Sequence, residues 1–374
     1  MTSFLVLSLH SSPWSEPGTG DAGGMNVYVR HTCTELVAAG HTVRCLTLPR
    51  AGEVTLPDPP SWLHELALPL ADVPKADLPD HLDAMVEAAS PHAADADVII
   101  AHYWLSAEVG RRLAARHGLE LLTMFHTTAA AKNATAGPDE PPEPRARLEA
   151  EERAARASRV VVVNSAAEAR ACAEHLGLPQ DRFAVIAPGI DHEVFHDRSA
   201  LKSSGTALTL GLAGRLQPLK GPQVLLRALN LLDGDTVERV WLIGDGSPQF
   251  LAHLRALADD RVEFLGRLAP DALADRMRRA DVWTVPSSSE TFGLVAVEAQ
   301  ACGTPVLATD VGGLPDAVVG GWLVPDRDPE TWAAALRHAV QNPQERLRLA
   351  EKGVTHTARL TWRATADRWA ELTR

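Results

Sequence analysis

The residues most able to do chemistry fall into two charged pairs. Arg215 and Lys220 lie close together in "GRLQPLKG", just past an apolar run. The chain holds only five lysines (Lys75, Lys132, Lys202, Lys220 and Lys352) against a formal net charge of −12, so a lysine beside a motif is notable. Two such cations suit a diphosphate: arginine offers a fork of N–H donors and lysine a point charge. The second pair, Glu290 and Glu298, lies in "PSSSETFGLVAVEAQACGTP". If the intervening residues rise as a helix, the carboxylates stand about 12 Å apart. That exceeds the roughly 5–9.5 Å of a paired-carboxylate glycosidase. It is comparable to the span from a nucleotide's ribose to a sugar linked through its diphosphate. Thr291, Phe292, Gly293 and Leu294 would bring a helix N-terminus close to such a ligand.

A glycine-rich stretch, "PGTGDAGGMN" (17–26), contains G-x-G-x-x-G. A dinucleotide fingerprint opens directly off the first strand and is followed by an acid at the tip of the second. Here seven residues separate His10 from Gly18, and the second strand ends "LTLPRAGE" with no acid at its tip. Dinucleotide binding fails on both counts. A flexible loop is one alternative. The other is close backbone approach to a ligand at Gly23 and Gly24, next to a helix from about Met25 whose free N–H groups and dipole favour phosphate. His10, His102 and His126 each end a strand-like run. His102 reads as a structural histidine. His10, beside Ser11 and Ser12, and His126, beside Thr127 and Thr128, read as site residues. No metal-ligand spacing supports a three-histidine metal site.

These residues need a scaffold. Short apolar runs (4–10, 42–48, 97–104, 120–126, 159–164, 183–189) alternate with amphipathic helical patterns, and a second series (208–214, 239–246, 262–266, 282–286, 305–310) repeats the alternation. Such alternation predicts parallel, doubly wound α/β sheets, whose ligands bind beyond the carboxyl ends of the strands. The Ser/Gly-rich stretch 196–207 reads as a linker, and "GPDEPPEPR" (137–145) as a loop. The expected division is two Rossmann-like domains, 1–196 and 197–357, with 358–374 a terminal helix packing back on the first. Composition is ordinary, with 45% apolar and 22% charged residues. The net negative charge argues against a broad nucleic-acid or anionic-membrane surface. Cys33, Cys45, Cys172 and Cys302 lack metal spacing and fit a reducing compartment. The N-terminal run is strand length without a basic leader, and no apolar run reaches about 18 residues. A cytoplasmic protein is the expectation.

Taken together, the Gly-Gly loop, Arg–x4–Lys and Glu–x7–Glu resemble the retaining glycosyltransferases of family 4. The resemblance spans essentially the whole chain. It implies an α/β GT-B fold, with two Rossmann-like domains facing a central cleft and closing over substrate. More narrowly, "HSSPWSEPGTGDAGGMNVYV", "AHYWLS", "FHTTAAAKN" and "GRLQPLKGPQVL" are similar to the D-inositol-3-phosphate glycosyltransferases of actinobacterial mycothiol biosynthesis. The implied activity is transfer of N-acetylglucosamine from UDP-GlcNAc to inositol phosphate.

By that resemblance His10, Asp21, Met25, Asn26, Lys75, Tyr103, Thr127 and Arg147 bind the acceptor. Gly23, Gly24, Arg215, Lys220, Glu290, Thr291, Phe292, Gly293, Leu294 and Glu298 bind the donor. His126, Arg215, Lys220 and Glu290 form the catalytic set, with His126 positioning the donor sugar. No cofactor is required, Mg2+ being the metal that members carry. The expected partners are a nucleotide sugar and a small acceptor, not nucleic acid or membrane, and a homodimer is left open.

The chain departs from the family in places. The glycine-rich segment "WLIGDGSPQF" is short, Leu268 replaces an expected arginine with Arg267 adjacent, and "LALPLADVP" lacks a Gly-Pro loop. A specialised-metabolite paralogue using a GDP-sugar with a small thiol or aminocyclitol acceptor is therefore a second expectation. An epimerase, a phosphorylase and a non-catalytic nucleotide-sugar module are further alternatives.

Overall fold

In a computed structural model of the chain, residues 1–135, 142–198 and 207–373 are described. Most of the linker expected at 196–207 and residues 137–141 of the Pro/Glu-rich stretch lie outside them. The chain divides into two compact units, Met1–Gly189 with Trp362–Arg374, and Ile190–Thr361.

The first unit holds strands β1 (Ser3–Ser8), β2 (Thr42–Thr47), β3 (Leu63–Glu65), β4 (Val98–His102), β5 (Glu120–Met124), β6 (Val160–Val163) and β7 (Phe183–Val185). They form one sheet in the order β3-β2-β1-β4-β5-β6-β7, every pair parallel. The helices are α1 (Gly24–Ala38), α2 (Leu82–Ala89), α3 (Trp104–His117), α4 (Ala129–Thr135), α5 (Arg145–Ala157) and α6 (Ala166–Leu176). Successive strand residues point to opposite faces, so β1 feeds two cores. Leu5 and Leu7 join Ile99, Ala101, Met85 and Leu113 on one face. Phe4 and Val6 join Tyr28, Val29, Cys33 and Ile100 on the other. Burial on both faces is why these strands read as continuous apolar runs. β3 was not expected, since three edge residues, two half-buried and Glu65 exposed, carry too little pattern to see.

The second unit holds β8 (Leu208–Ala213), β9 (Val237–Ile243), β10 (Val262–Gly266), β11 (Val282–Val285), β12 (Val306–Thr309) and β13 (Gly321–Val324). Its sheet, also parallel, runs β10-β9-β8-β11-β12-β13. The helices are α7 (Pro222–Leu229), α8 (Pro248–Leu257), α9 (Pro270–Arg279), α10 (Leu294–Ala301), α11 (Leu314–Ala317), α12 (Pro329–Gln341) and α13 (Pro343–Thr357). Gly211 in β8 has a packing reason: a Cβ there would lie 2.1 Å from the fully buried ring of Trp283. The last helix, α14 (Trp362–Glu371), belongs to the first unit, where Trp362 and Trp369 complete the core around Tyr28.

In each sheet the strand order reverses direction beside its first strand, between β1 and β4 and between β8 and β11. Such switch points open crevices at the carboxyl ends. No described helix is long and apolar enough to cross a membrane.

Candidate functional site

In the first unit, six of the eight expected acceptor residues form one connected cluster. His10 lies just past β1, and its ring sits 4.0 Å from that of Tyr103, centroid to centroid. Tyr103 follows β4 with φ +75°, in the left-handed region; such a conformation in a bulky residue is strained and held by its surroundings. Lys75 Nζ stands 5.2 Å from the Tyr103 ring centre and the Arg147 guanidinium 5.0 Å. Lys75 pairs with Asp21 at 3.3 Å, and Arg147 donates to the Thr127 carbonyl at 2.9 Å. An aromatic floor is thus flanked by two cations, an arrangement suited to a polar anion.

The electrostatics sharpen that reading. Burial, then Lys75, Arg147 and Arg50, hold the His10 imidazole well below its ordinary range, so it is neutral near pH 7. Its buried Nδ1 has no hydrogen-bond partner among the described residues, and a buried polar atom is normally satisfied. Arg147 is itself buried and bonded at 2.8 Å to both Glu143 and Glu151. The second oxygen of Glu151 accepts from Ala129 N at 2.8 Å. Arg147 therefore also holds the loop after β5.

Two of the eight stand apart. The buried Asn26 donates to Ser11 Oγ and to the Ser12 carbonyl, both at 2.7 Å, and its Oδ1 accepts from Gly23 N at 2.8 Å. Both amide hydrogens are consumed at Ser11 and Ser12 just after β1, and the amide oxygen holds the glycine loop at Gly23. Met25 packs on the core around Phe4 and Tyr28. Gly24 is the exposed first residue of α1.

Glu53 escaped the sequence reading. It accepts from Ser11 Oγ at 2.5 Å, Ser15 Oγ at 2.6 Å and Ser12 N at 3.2 Å. An acid was sought at the tip of the second strand; it comes a few residues later and binds the loop after β1. Arg50 was missed as well. It donates to the carbonyls of Leu70 and Val73 and contributes to the field at His10. No local pattern marks either residue.

His126 follows β5 with φ +60°. Its Nε2 lies 2.9 Å from His102 Nδ1. Burial lowers both: His102 falls to about 3, and His126, lowered further by His102 and His10, lies well below its usual range. Both rings are neutral near pH 7.

In the second unit, exposed Arg215 follows β8. Lys220 ends a short 3-10 turn, and the next residue, Gly221, lies so close to the loop after β11 that a Cβ would meet the Pro286 carbonyl oxygen at 2.0 Å. That approach sets Lys220 Nζ against Glu290 Oε1 in an ion pair, and Ser287 Oγ donates to the same oxygen at 3.2 Å. Gly313 N donates to the Glu290 carbonyl at 2.9 Å. Thr291 and the buried Phe292 lead to Gly293, φ +93°, which caps α10 just before Leu294. The first-turn N–H groups of α10 have no acceptor within the helix. The 12 Å helical spacing of the two glutamates does not apply: Glu290–Gly293 is loop, and only Leu294 onward is helix. Arg267, beside the Leu268 substitution, pairs with Asp245 at 2.9 Å.

Glu298, half-buried in the second turn of α10, is pushed up to about 7 by burial and then by Asp191. Between the ordinary carboxylate range and pH 7 the folded chain keeps a proton that the unfolded chain has released. Stability therefore falls as pH rises through that window, and the full penalty applies above it. Glu298→Gln removes the charge. It is expected to raise the melting temperature at pH 8, by on the order of 1–3 kcal/mol in stability, and to change it little at pH 4.5. Thermal melts at the two pH values check this; equal shifts at both would sink it.

Comparison with known proteins supplies context for this geometry. Residues 22–194 match the model described as Glycosyltransferase Family 4, and 207–342 the one described as Glycosyl transferases group 1. The chain is 38% identical to a D-inositol 3-phosphate glycosyltransferase of Segniliparus rotundus, covering 97% of this chain and 86% of that one. It is 40% identical to the protein of that name from Stackebrandtia nassauensis, covering 97% and 89%. Among solved structures, sucrose-phosphate synthase from Thermosynechococcus elongatus superposes with a TM-score of 0.88 at 27% identity, covering 100% of this chain and 98% of that one. The lipopolysaccharide glycosyltransferase WaaG superposes at 0.72 with 19% identity over 99% of both chains, a likeness of fold.

Proposed function

We propose, for a chain that belongs to glycosyltransferase family 4, has the GT-B fold and so transfers sugar from a nucleotide-sugar donor, that the acceptor is a small anion and the configuration is retained. The observation carrying the acceptor reading is the first-unit cluster, with Lys75 and Arg147 flanking the Tyr103 ring beside a neutral His10; retention is what the family resemblance implies. The relatives' name makes D-inositol 3-phosphate the first acceptor to test. UDP-GlcNAc is the donor that the resemblance implies.

In the step proposed, the bond from the acceptor oxygen to the anomeric carbon forms as the bond to the diphosphate breaks. The acceptor hydroxyl proton passes to the departing phosphate oxygen on the same face, so configuration is kept without a covalent nucleophile. Arg215, Lys220 and the N-terminus of α10 stabilise the charge growing on that diphosphate. Glu290, beside Lys220, and Glu298 take hydroxyls of the donor sugar and ribose. Gly23 and Gly24 let backbone approach the donor, and His126 positions its sugar.

A second reading has its own support. Asp21, Glu143 and Glu151 already face Lys75 and Arg147. That charge balance favours an acceptor with less negative charge than a phosphate dianion, such as a carboxylate-bearing thiol or an aminocyclitol, on the same scaffold.

The deciding experiment is nucleoside-diphosphate release from UDP-GlcNAc, with and without D-inositol 3-phosphate, each with Mg2+ and with EDTA. Acceptor-dependent release with a mass-matched product supports the first reading. Absence of release, followed by turnover of a GDP-sugar with a thiol or aminocyclitol, supports the second.

A further inference from the structure

We infer that His102 is a positioning residue for sugar transfer, fixing the ring of His126 and the tautomer that His126 presents to the donor sugar. This rests on the reading of His126 as the residue that positions that sugar.

The fold puts the two histidines side by side. β4 and β5 are parallel neighbours with His102 opposite Met124, and His126 follows two residues later. At φ +60° its backbone leaves the extended path of β5, and its Nε2 comes to 2.9 Å from His102 Nδ1. Positive φ is uncommon outside glycine, though histidine enters it more readily than most residues.

The surroundings here are specific. The Tyr28 ring stands edge-on to His126 at 5.4 Å and to His102 at 6.0 Å. Trp369 of α14 stands edge-on to His102 at 5.8 Å, and its Nε1 donates to the Tyr28 hydroxyl at 2.9 Å. His102 is 1% exposed. The pair is thus clamped between α1 and α14.

The chemistry follows from proton counting. A neutral imidazole carries one N–H, and one proton occupies the bond between two such rings. If His102 Nδ1 holds it, His126 Nε2 accepts and His126 Nδ1 carries a donor N–H. If His126 Nε2 holds it, His126 Nδ1 is an acceptor. The bond to the partner ring thereby ties what His126 offers a sugar hydroxyl, donor or acceptor, to the tautomer of His102. Without His102, Nε2 of His126 loses its hydrogen-bond partner, and the ring is free to exchange tautomers.

The test compares His102→Leu, which removes the polar partner, with His102→Asn, whose side-chain amide reaches the place of Nδ1. Steady-state transfer is measured together with long-range 15N–1H spectra of histidine-labelled protein. His102→Leu is expected to lower kcat roughly ten- to a hundredfold, with both KM values within about twofold. His102→Asn should recover most of that loss. His126 should show one neutral tautomer in the parent and a mixture in the leucine variant. A folded His102→Leu protein with kcat within twofold overturns the proposal, as does an unchanged His126 spectrum in both variants. Should the leucine variant fail to fold, the asparagine variant decides: near-parent kcat with a single His126 tautomer upholds the role, and a hundredfold loss with an unaltered His126 spectrum refutes it. His126→Ala separates the two readings. Full activity in that variant removes the sugar-positioning role itself, whereas a large loss there beside a normal His102→Leu removes only His102.

Discussion

Replacing Lys220 with alanine is expected to lower kcat/KM for the nucleotide-sugar donor by roughly 10²–10³-fold, the usual consequence of removing one preorganised group that stabilises developing negative charge. Lys220 faces Glu290 at the mouth of the second-unit sheet, with Ser287 sharing the same carboxylate oxygen. Its ammonium can therefore turn between a resident carboxylate and an arriving diphosphate without leaving its place. Folding should suffer little by comparison. The ion pair is partly solvent-accessible, and such pairs contribute about 1 kcal/mol or less, while the Ser287 hydroxyl still serves Glu290 in the variant. Turnover and thermal melts measured on the same preparation separate the two effects. Parent-like turnover in Lys220→Ala would exclude Lys220 from the diphosphate, whereas a melting loss matching the activity loss would mark it as structural.

Arg147 demands a different design, because it is buried between Glu143 and Glu151. Arg147→Ala leaves the Glu151 carboxylate buried and uncompensated, a change that typically costs about 3–5 kcal/mol. Burial already raises the Glu151 carboxyl against the pull of Arg147. In the alanine variant that pKa rises further. The stability deficit is then greatest above the new pKa and shrinks as pH falls through it. Arg147→Lys keeps the charge and loses the fork that reaches Glu143, Glu151 and the Thr127 carbonyl together. The lysine variant is expected to stay folded and to raise the acceptor KM by about tenfold or more, the worth of a charged hydrogen bond. Donor KM and acceptor-independent donor hydrolysis should barely change. Initial rates over an acceptor series decide it. An unchanged acceptor KM in Arg147→Lys would take Arg147 out of the acceptor pocket and leave it as the brace of the loop after β5.

Much of this molecule was determined by sequence alone, for local reasons. Strands buried on both faces must be apolar throughout, so "FLVLS" and "VVVV" announce themselves, and amphipathic stretches between them can only be crossover helices of parallel sheets. Arg215, Lys220, Glu290 and Glu298 were visible because each pair sits within one short segment.

What the tertiary structure alone decided is how those charges and rings are partnered, because the partners are far apart in the chain. Glu53 reaches Ser11 and Ser15, Arg147 shares its charge with two carboxylates, His102 meets His126, and Trp369 reaches Tyr28 from the far end of the sequence. Residue type sets what a group can do, but its protonation, orientation and remaining capacity to bind depend on burial and on the neighbours that parallel crossovers bring alongside. Spacing could mark His126 and Arg147 as candidates. Only the folded chain makes one a neutral ring with a fixed neighbour and the other a cation already half engaged.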